Sequence, residues 1–301
     1  MQKLVSVVIP FYSGIEWLGE AVESVLNQTY SNIEIIVVND GSLEDDSAFL
    51  SKYGQKITYY KKENGGPSSA RNYGILHAKG YYIALLDSDD VWLPEKTELQ
   101  IRFMEERGIM WSHTGFCYWH PDTGNLQKVN VSKNYGVIGW RRYLSFRMST
   151  PSVIFRKEIF DTHPEMLFNE GIRYGEDGEM FTRLGRVYQL GLLDNILMWV
   201  RIRGTNTYSQ YALRINMGAD GYMKLKELEA QQGSVPMVLK LVDWIYFQEN
   251  KLLKYLKEKE LGKDKIESIA SFLILIPVGI AHLYSNYLYY IQRNDKKYYC
   301  R

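Results

Sequence analysis

Three apolar runs, Leu4–Ile9, Ile33–Val38 and Tyr81–Leu86, each stop at a polar cluster, and helical periodicity fills much of the chain between them. Runs this short and rich in β-branched residues fit strands buried on both faces. Ile15, Leu18, Val22, Val25 and Leu26 recur at helical spacing after the first run, and a helix is expected from Ser68 to about Ala78. This cadence predicts βαβ units around a largely parallel sheet. Ligands bind at the carboxyl ends of such strands. Pro10-Phe11-Tyr12, Asn39-Asp40-Gly41-Ser42 and Asp87-Ser88-Asp89-Asp90 stand at those ends.

Further strands are expected at Ile109–Trp119, Val153–Arg156 and Ile196–Ile202, a helix from Met180 to about Val187, and helical structure over 213–262. With 46% hydrophobic and 24% charged residues, the chain is not a disordered one, and a net charge of +1 argues against a bulk field for nucleic acid. Cys117 and Cys300 make neither a disulfide framework nor a C-x-x-C pair, so a reducing compartment without structural zinc is expected. Leu4–Ile9 is too short for the apolar core of a signal peptide. Residues 251–301 hold ten Lys/Arg against five Asp/Glu, a net +5 that leaves −4 on residues 1–250 and marks off a C-terminal module.

Each cluster has an ordinary structural account and a chemical one. Three carboxylates in Asp87-Ser88-Asp89-Asp90 repel unless a cation or donors hold them. With no His or Cys nearby, the suitable cations are Mg²⁺ or Mn²⁺; the alternative is a solvated turn before a helix. Asp40-Gly41-Ser42 is either a tight turn or a carboxylate placed to accept from an imide or ribose. Gly66-Pro67-Ser68-Ser69-Ala70-Arg71-Asn72 opens a helix, with Ser68 as candidate N-cap, and sets backbone N–H groups and Arg71 where an anion would bind. Tyr12 either packs or stacks on a base.

Together, Val5-Ser6-Val7-Val8-Ile9-Pro10-Phe11-Tyr12, Gln28-Thr29-Tyr30, Glu34–Ser42, Gly66–Asn72, Leu86–Trp92, Gly175-Glu176-Asp177 and Arg201–Thr207 resemble, in order and spacing, the family 2 inverting glycosyltransferases of the GT-A fold. The resemblance covers residues 4–207. It implies an α/β fold, a Rossmann-like mixed sheet flanked by helices, with a helical C-terminal extension. The catalytic domain would span 1–210, with a nucleotide-binding half at 1–107 and an acceptor half at 108–210; residues 211–301 would form the helical module. It further implies Tyr12 against the nucleotide base, with Pro10 and Phe11 shaping the backbone there. Asp40 would bond the base, Asp87 and Ser88 the base or ribose edge, and Gly66 and Arg71 the base or phosphate region. Asp89 would bind Mn²⁺ or Mg²⁺ at the diphosphate. Asp177 would be the general base of a single displacement, oriented with Glu176. The implied partners are a nucleotide-sugar donor, UDP-linked for preference, and a glycan or lipid-linked acceptor, in cytoplasmic assembly of cell-surface polysaccharide or glycoconjugate. A non-catalytic nucleotide-sugar binder and a metal-dependent nucleotidyltransferase stay open as alternatives.

The chain departs from the pattern in places. Glu44 stands where an Asp often follows Asp-Gly-Ser-x, Ser13 replaces an Asn, and Gly178 replaces a Trp. Arg203 stands where many members carry a His that helps bind the metal, and a guanidinium cannot ligate a cation. Arg203 is therefore expected to pair with the diphosphate. The histidines His77, His113, His120, His163 and His282 lack metal-ligand spacing and read as packing residues. Residues 268–292 contain no Asp, Glu, Lys or Arg, are rich in Tyr, and are flanked by Lys263, Lys265, Arg293, Lys296 and Lys297. Three readings stay open for this stretch: packing on the catalytic domain or a second subunit, peripheral contact with the inner face of the cytoplasmic membrane, and a membrane span.

Overall fold

The computed structural model describes residues 2–138, 147–172, 175–203, 237–259, 261–292 and 299–300. Part of the region expected to be helical over 213–262, together with Gly204-Thr205-Asn206-Thr207, lies outside the described residues. The chain divides into two units, one of residues 1–138, 147–202 and 295–301, the other of 139–146 and 203–294.

In the first unit, β1 (Val5–Phe11), α1 (Ile15–Leu26), β2 (Ile33–Asp40), α2 (Ser47–Tyr53), β3 (Thr58–Lys62), α3 (Gly66–His77) and β4 (Tyr82–Leu85) form the βαβ series expected from the sequence, with α2 added to it. The strands β5 (Val91–Trp92), β6 (Trp111–His120), β7 (Asn125–Lys128), β8 (Ile154–Arg156) and β9 (Leu190–Arg201) follow, interleaved with α4 (Lys96–Arg107), α5 (Glu158–Thr162) and α6 (Glu176–Val187); β10 (Tyr299–Cys300) pairs with β9. The main path of the sheet runs β10-β9-β6-β8-β4-β1-β2-β3, with β5 on β9 and β7 on β6. The strands β4, β1, β2 and β3 are mutually parallel, and β8 is antiparallel to both its neighbours, β4 and β6. This is the mixed α/β sheet expected.

The apolar runs become strands because both their faces are covered. Val5, Val7, Val8, Ile9, Val37, Val38, Ile83 and Leu85 have no exposed surface, each burial contributing ~1.5–3 kcal/mol. Gly74 lets α3 lie close on β1, since a Cβ there would collide with Val8. Some boundaries move. The β9 strand begins at Leu190, not Ile196, and α6 begins at Glu176, not Met180. Ser68 is not the N-cap of α3: the helix starts at Gly66 with Gly65 at the cap, and Ser68 is buried in the first turn.

The second unit contains α7 (Met237–Glu258), α8 (Lys263–Leu273) and α9 (Leu275–Gln292). Val242 packs with Ala281, and Leu253 with Ile266, Ala270 and Ile274, so both later helices lie on α7.

Candidate active site

The start of α3 is tied to the end of β2 by one carboxylate. Asp40 is buried and accepts from Gly65 N–H (3.0 Å), Gly66 N–H (2.7 Å) and Lys62 Nζ (2.7 Å). Lys62 is Asp40's register partner across β2 and β3. Asp40 thereby satisfies the N–H groups of the cap residue Gly65 and the first helical residue Gly66. Gly41, at φ +78°, permits the turn, because a Cβ there would come within 2.8 Å of the Asn64 nitrogen.

One helical turn later, α3 presents Arg71 to two carboxylates from distant parts of the chain. Its Nη2 donates to Asp87 Oδ1 at 2.8 Å and its Nη1 to Glu176 Oε1 at 3.0 Å. Burial opposes the guanidinium charge, but the two carboxylates outweigh it and hold Arg71 above its ordinary pKa. Glu176 is raised above the usual carboxylate range, first by burial and then by the adjacent Asp177 charge, with Arg71 opposing both. The loop after β4 and the start of α6 therefore meet on one cation. The sequence expectation placed Arg71 near the base or phosphates; the bridge to Glu176 carries no local signal.

Asp177 lies in the first turn of α6, where the helix dipole favours negative charge. Its Oδ1 accepts from Gly178 N–H at 2.6 Å and its Oδ2 from Thr150 Oγ1 at 3.3 Å. Thr150 opens a short 3₁₀ turn, Thr150–Ser152, that Trp92 and Gln100 hold by bonds to the Pro151 and Ser152 carbonyls. Sequence reasoning missed Thr150.

Residues 87–90 form a turn closed by Asp90 N–H to the Asp87 carbonyl at 3.1 Å. Asp90 points inward and accepts from the Arg201 N–H at 2.9 Å. Its carboxyl is pushed well above the ordinary range by burial and then by the Asp89 and Asp87 charges. Arg201 Nε also holds the Asp89 carbonyl at 2.8 Å, and its Nη2 reaches Glu20 at 2.6 Å. Asp87 bonds Arg71 and Asp90 accepts from the Arg201 N–H, and Asp89 is the carboxylate of the turn to which the resemblance assigns the metal. Ser88 and Asp89 are half-buried at its tip. Mg²⁺ and Mn²⁺ take all-oxygen shells in which one or two carboxylates are completed by phosphate oxygens and water, so the donor set fits such an ion. Among the described residues, no group of three or more His, Cys, Asp or Glu side chains could hold a metal by itself.

Pro10 and Phe11 end β1, Phe11 buried, and Tyr12 just beyond is 56% exposed. Since Phe11 pairs with Asn39, Tyr12 follows at the level of Asp40. Glu44, the departure from Asp, uses its extra methylene to cap α1, accepting from Gly14 N–H (2.7 Å) and Ile15 N–H (2.8 Å). Of the histidines, His113 is buried with Nε2 on the Asn134 carbonyl, and His77 stacks on Tyr73. Arg203 stands at the start of the second unit.

The profile described as "Glycosyl transferase family 2" matches residues 6–164. The chain belongs to this family. An uncharacterized glycosyltransferase of Rickettsia bellii is 41% identical over 205 residues, 67% of this chain and 29% of that protein. The chondroitin synthase of Pasteurella multocida is 31% identical over 211 residues, 68% of this chain and 21% of that protein. Across three such Rickettsia relatives the match spans 29–34% of the relative's own length. Two solved structures share the fold of this family 2 chain. The mannosyltransferase PcManGT from Pyrobaculum calidifontis, in complex with GDP-Man and Mn²⁺, aligns with TM-score 0.60 at 15% identity over 99% of this chain and 82% of that one. TarS 1–349 of S. aureus, in complex with UDP-GlcNAc, aligns with TM-score 0.58 at 18% identity over 83% and 72%.

Proposed function

We propose that this chain transfers a sugar from a nucleotide-diphosphate donor, a UDP-sugar, to a hydroxyl of a glycan or lipid-linked acceptor, by one inverting displacement. The setting is cytoplasmic assembly of cell-surface polysaccharide or glycoconjugate. The observation that carries the reading is the buried Arg71, bonded at once to Asp87 of the strand-end loop and to Glu176 beside Asp177. It joins a nucleotide-side carboxylate to the carboxylate pair suited to the acceptor. A UDP-GlcNAc complex among the structural neighbours and a chondroitin synthase among the relatives support donor and product class.

In this reading Tyr12 stacks on the base, and Asp40, with three of about four acceptor positions in use, keeps one for the base. Asp87, Ser88, Gly66 and Arg71 line the ribose and phosphate side. Asp89 would hold Mn²⁺ or Mg²⁺, which supplies charge neutralisation at the diphosphate. Asp177 accepts the proton of the acceptor hydroxyl as that oxygen bonds to C1 and the bond from C1 to the diphosphate breaks. A carboxylate is a weak base for an alcohol, so the proton moves late, as the new bond forms. Glu176, anchored on Arg71, orients the acceptor side. Arg203 pairs with the diphosphate, so Arg203→His should make transfer more dependent on added metal than in the wild type.

The test pairs donor binding with product analysis. UDP-, GDP- and dTDP-sugars with Mn²⁺ or Mg²⁺ are screened by thermal shift, and turnover is followed by nucleotide release. A UDP-sugar should stabilise the chain and release UDP. Asp177→Asn should bind donor within ~2-fold of wild type and lose ~10²–10⁴ in transfer. Pyrophosphate release, or undiminished transfer by Asp177→Asn, would overturn the assignment.

A further inference from the structure

The end of the second unit carries an apolar row with an unusual distribution of charge. Ile274 keeps right-handed helical geometry (φ −58°, ψ −18°), so the path of α8 continues into α9. Lys265, Ser268, Phe272, Ile276, Gly279, Leu283 and Tyr287 recur every three or four residues and share one face. That row runs ~33 Å. All seven are exposed, Phe272 and Leu283 each to 72%, with Leu275 alongside at 62%. The opposite row, Ile266, Ala270, Ile274 and Ala281, is buried against α7. The helix is thus apolar on both sides but covered on only one.

Charge selects the occupant. Residues 268–292 hold no charged side chain. Lys259, Lys263 and Lys265 are exposed at the entry to the row beside Glu258 and Asp264, Arg293, Lys296 and Lys297 follow it in sequence with Asp295, and residues 251–301 carry a net +5. A second copy would bring one net-positive module against another. An anionic bilayer surface meets that net positive charge with opposite charge and the row with acyl chains. The row is not a lone span, although Lys263–Tyr284 has the length and hydropathy (1.9) to cross a membrane. Its partner α7 carries the exposed Lys251, Lys254 and Lys257 and cannot accompany it into hydrocarbon. Trp244 and Tyr255 are exposed on α7, and amphipathic aromatics of this kind favour the headgroup level.

We propose that this face of α8 and α9 lies in the interfacial plane of an anionic phospholipid bilayer, with Phe272, Leu275, Ile276 and Leu283 inserted and the lysines at the headgroups. The inference stands apart from the transferase reading, because its test measures no turnover. The full chain is floated with vesicles of phosphatidylcholine alone or with added phosphatidylglycerol. Binding should require phosphatidylglycerol, weaken in high salt, and fall ~5-fold for each of Lys259→Gln, Lys263→Gln and Lys265→Gln, the equivalent of about 1 kcal/mol per lysine. Phe272→Ser with Leu283→Ser, both at exposed positions, should abolish it with the circular dichroism spectrum unchanged. Equal binding to neutral vesicles, or none to either, overturns the proposal. So does resistance to alkaline carbonate extraction, which marks a span, or a dimer dissolved by Phe272→Ser in a chain that ignores vesicles.

Discussion

Replacing Arg71 by Met tests the join between the two halves of the site. The side chain is 7% exposed and serves carboxylates that are 29% exposed (Asp87) and 13% exposed (Glu176). Removing one partner of a buried ion pair costs ~3–5 kcal/mol, because the other charge is left without compensation. Asp87 can recover water, so its share falls toward the surface value of at most ~1 kcal/mol. Glu176 cannot, and it also faces the Asp177 charge. The expected loss is therefore about 3–4 kcal/mol, read by urea denaturation, or roughly 5–6 °C in Tm for a chain of this size. The sign with pH follows from Glu176. Its carboxyl is already raised by burial and by Asp177, and without Arg71 it rises further. A carboxyl raised on folding contributes stability below its unfolded pKa, and that contribution is lost as pH rises through the folded value. The penalty of Arg71→Met should thus be smaller at pH 5 than at pH 8. Adding Glu176→Gln to Arg71→Met should return ~1–2 kcal/mol, although Glu176→Gln alone destabilises. A penalty under ~1 kcal/mol, independence of pH, or strict additivity would refute the bridge.

Three further outcomes are expected. Gly74→Ala should cost ~1–3 kcal/mol by forcing a methyl into Val8, and Val8→Ala in the same chain should relieve part of that cost, measured by urea denaturation of the double-mutant cycle. Tyr12→Ala should leave Tm unchanged, since the ring is 56% exposed, yet weaken UDP binding ~5–100-fold by calorimetry if the ring stacks on the base. Glu249, buried in the second unit, has its carboxyl pushed up to about 7 by burial. The wild type should therefore lose stability relative to Glu249→Gln as pH rises from 5 to 8, and parallel pH–Tm curves for the two proteins would contradict this.

What the sequence made legible was whatever one segment decides for itself. Val5–Ile9 and Ile33–Val38 read as strands because burial on both faces imposes an unbroken apolar run, and the polar clusters that end those runs mark the candidate site. Where the deciding partner lies elsewhere in the chain, local rules gave a different answer. Ser68 has the chemistry of an N-cap, but Asp40, from another strand, reaches Gly65 and Gly66 first. Lys62 could have been found, since in the parallel pairing of β2 and β3 it falls opposite Asp40. Thr150 could not, because its position depends on Trp92 and Gln100 holding a turn about fifty residues further on. The departure at Glu44 looked like a weakened motif, yet its longer side chain caps α1 with both oxygens.

These networks share a physical consequence. Asp40 is held by Lys62 and two backbone donors, Arg71 is divided between Asp87 and Glu176, and Asp90 and the Asp89 carbonyl are held by Arg201. Each carboxylate or loop that the resemblance assigns to the donor or acceptor is fixed by protein partners alone. A site oriented in this way spends little binding energy on rearranging its charges when ligand arrives, which is the condition under which fixed dipoles and ions act most strongly on a developing charge. On the proposed reading, the buried bonds around the site serve its chemistry as well as its stability. Breaking one should move donor affinity and folding free energy together, whereas changing exposed Tyr12 should move affinity alone.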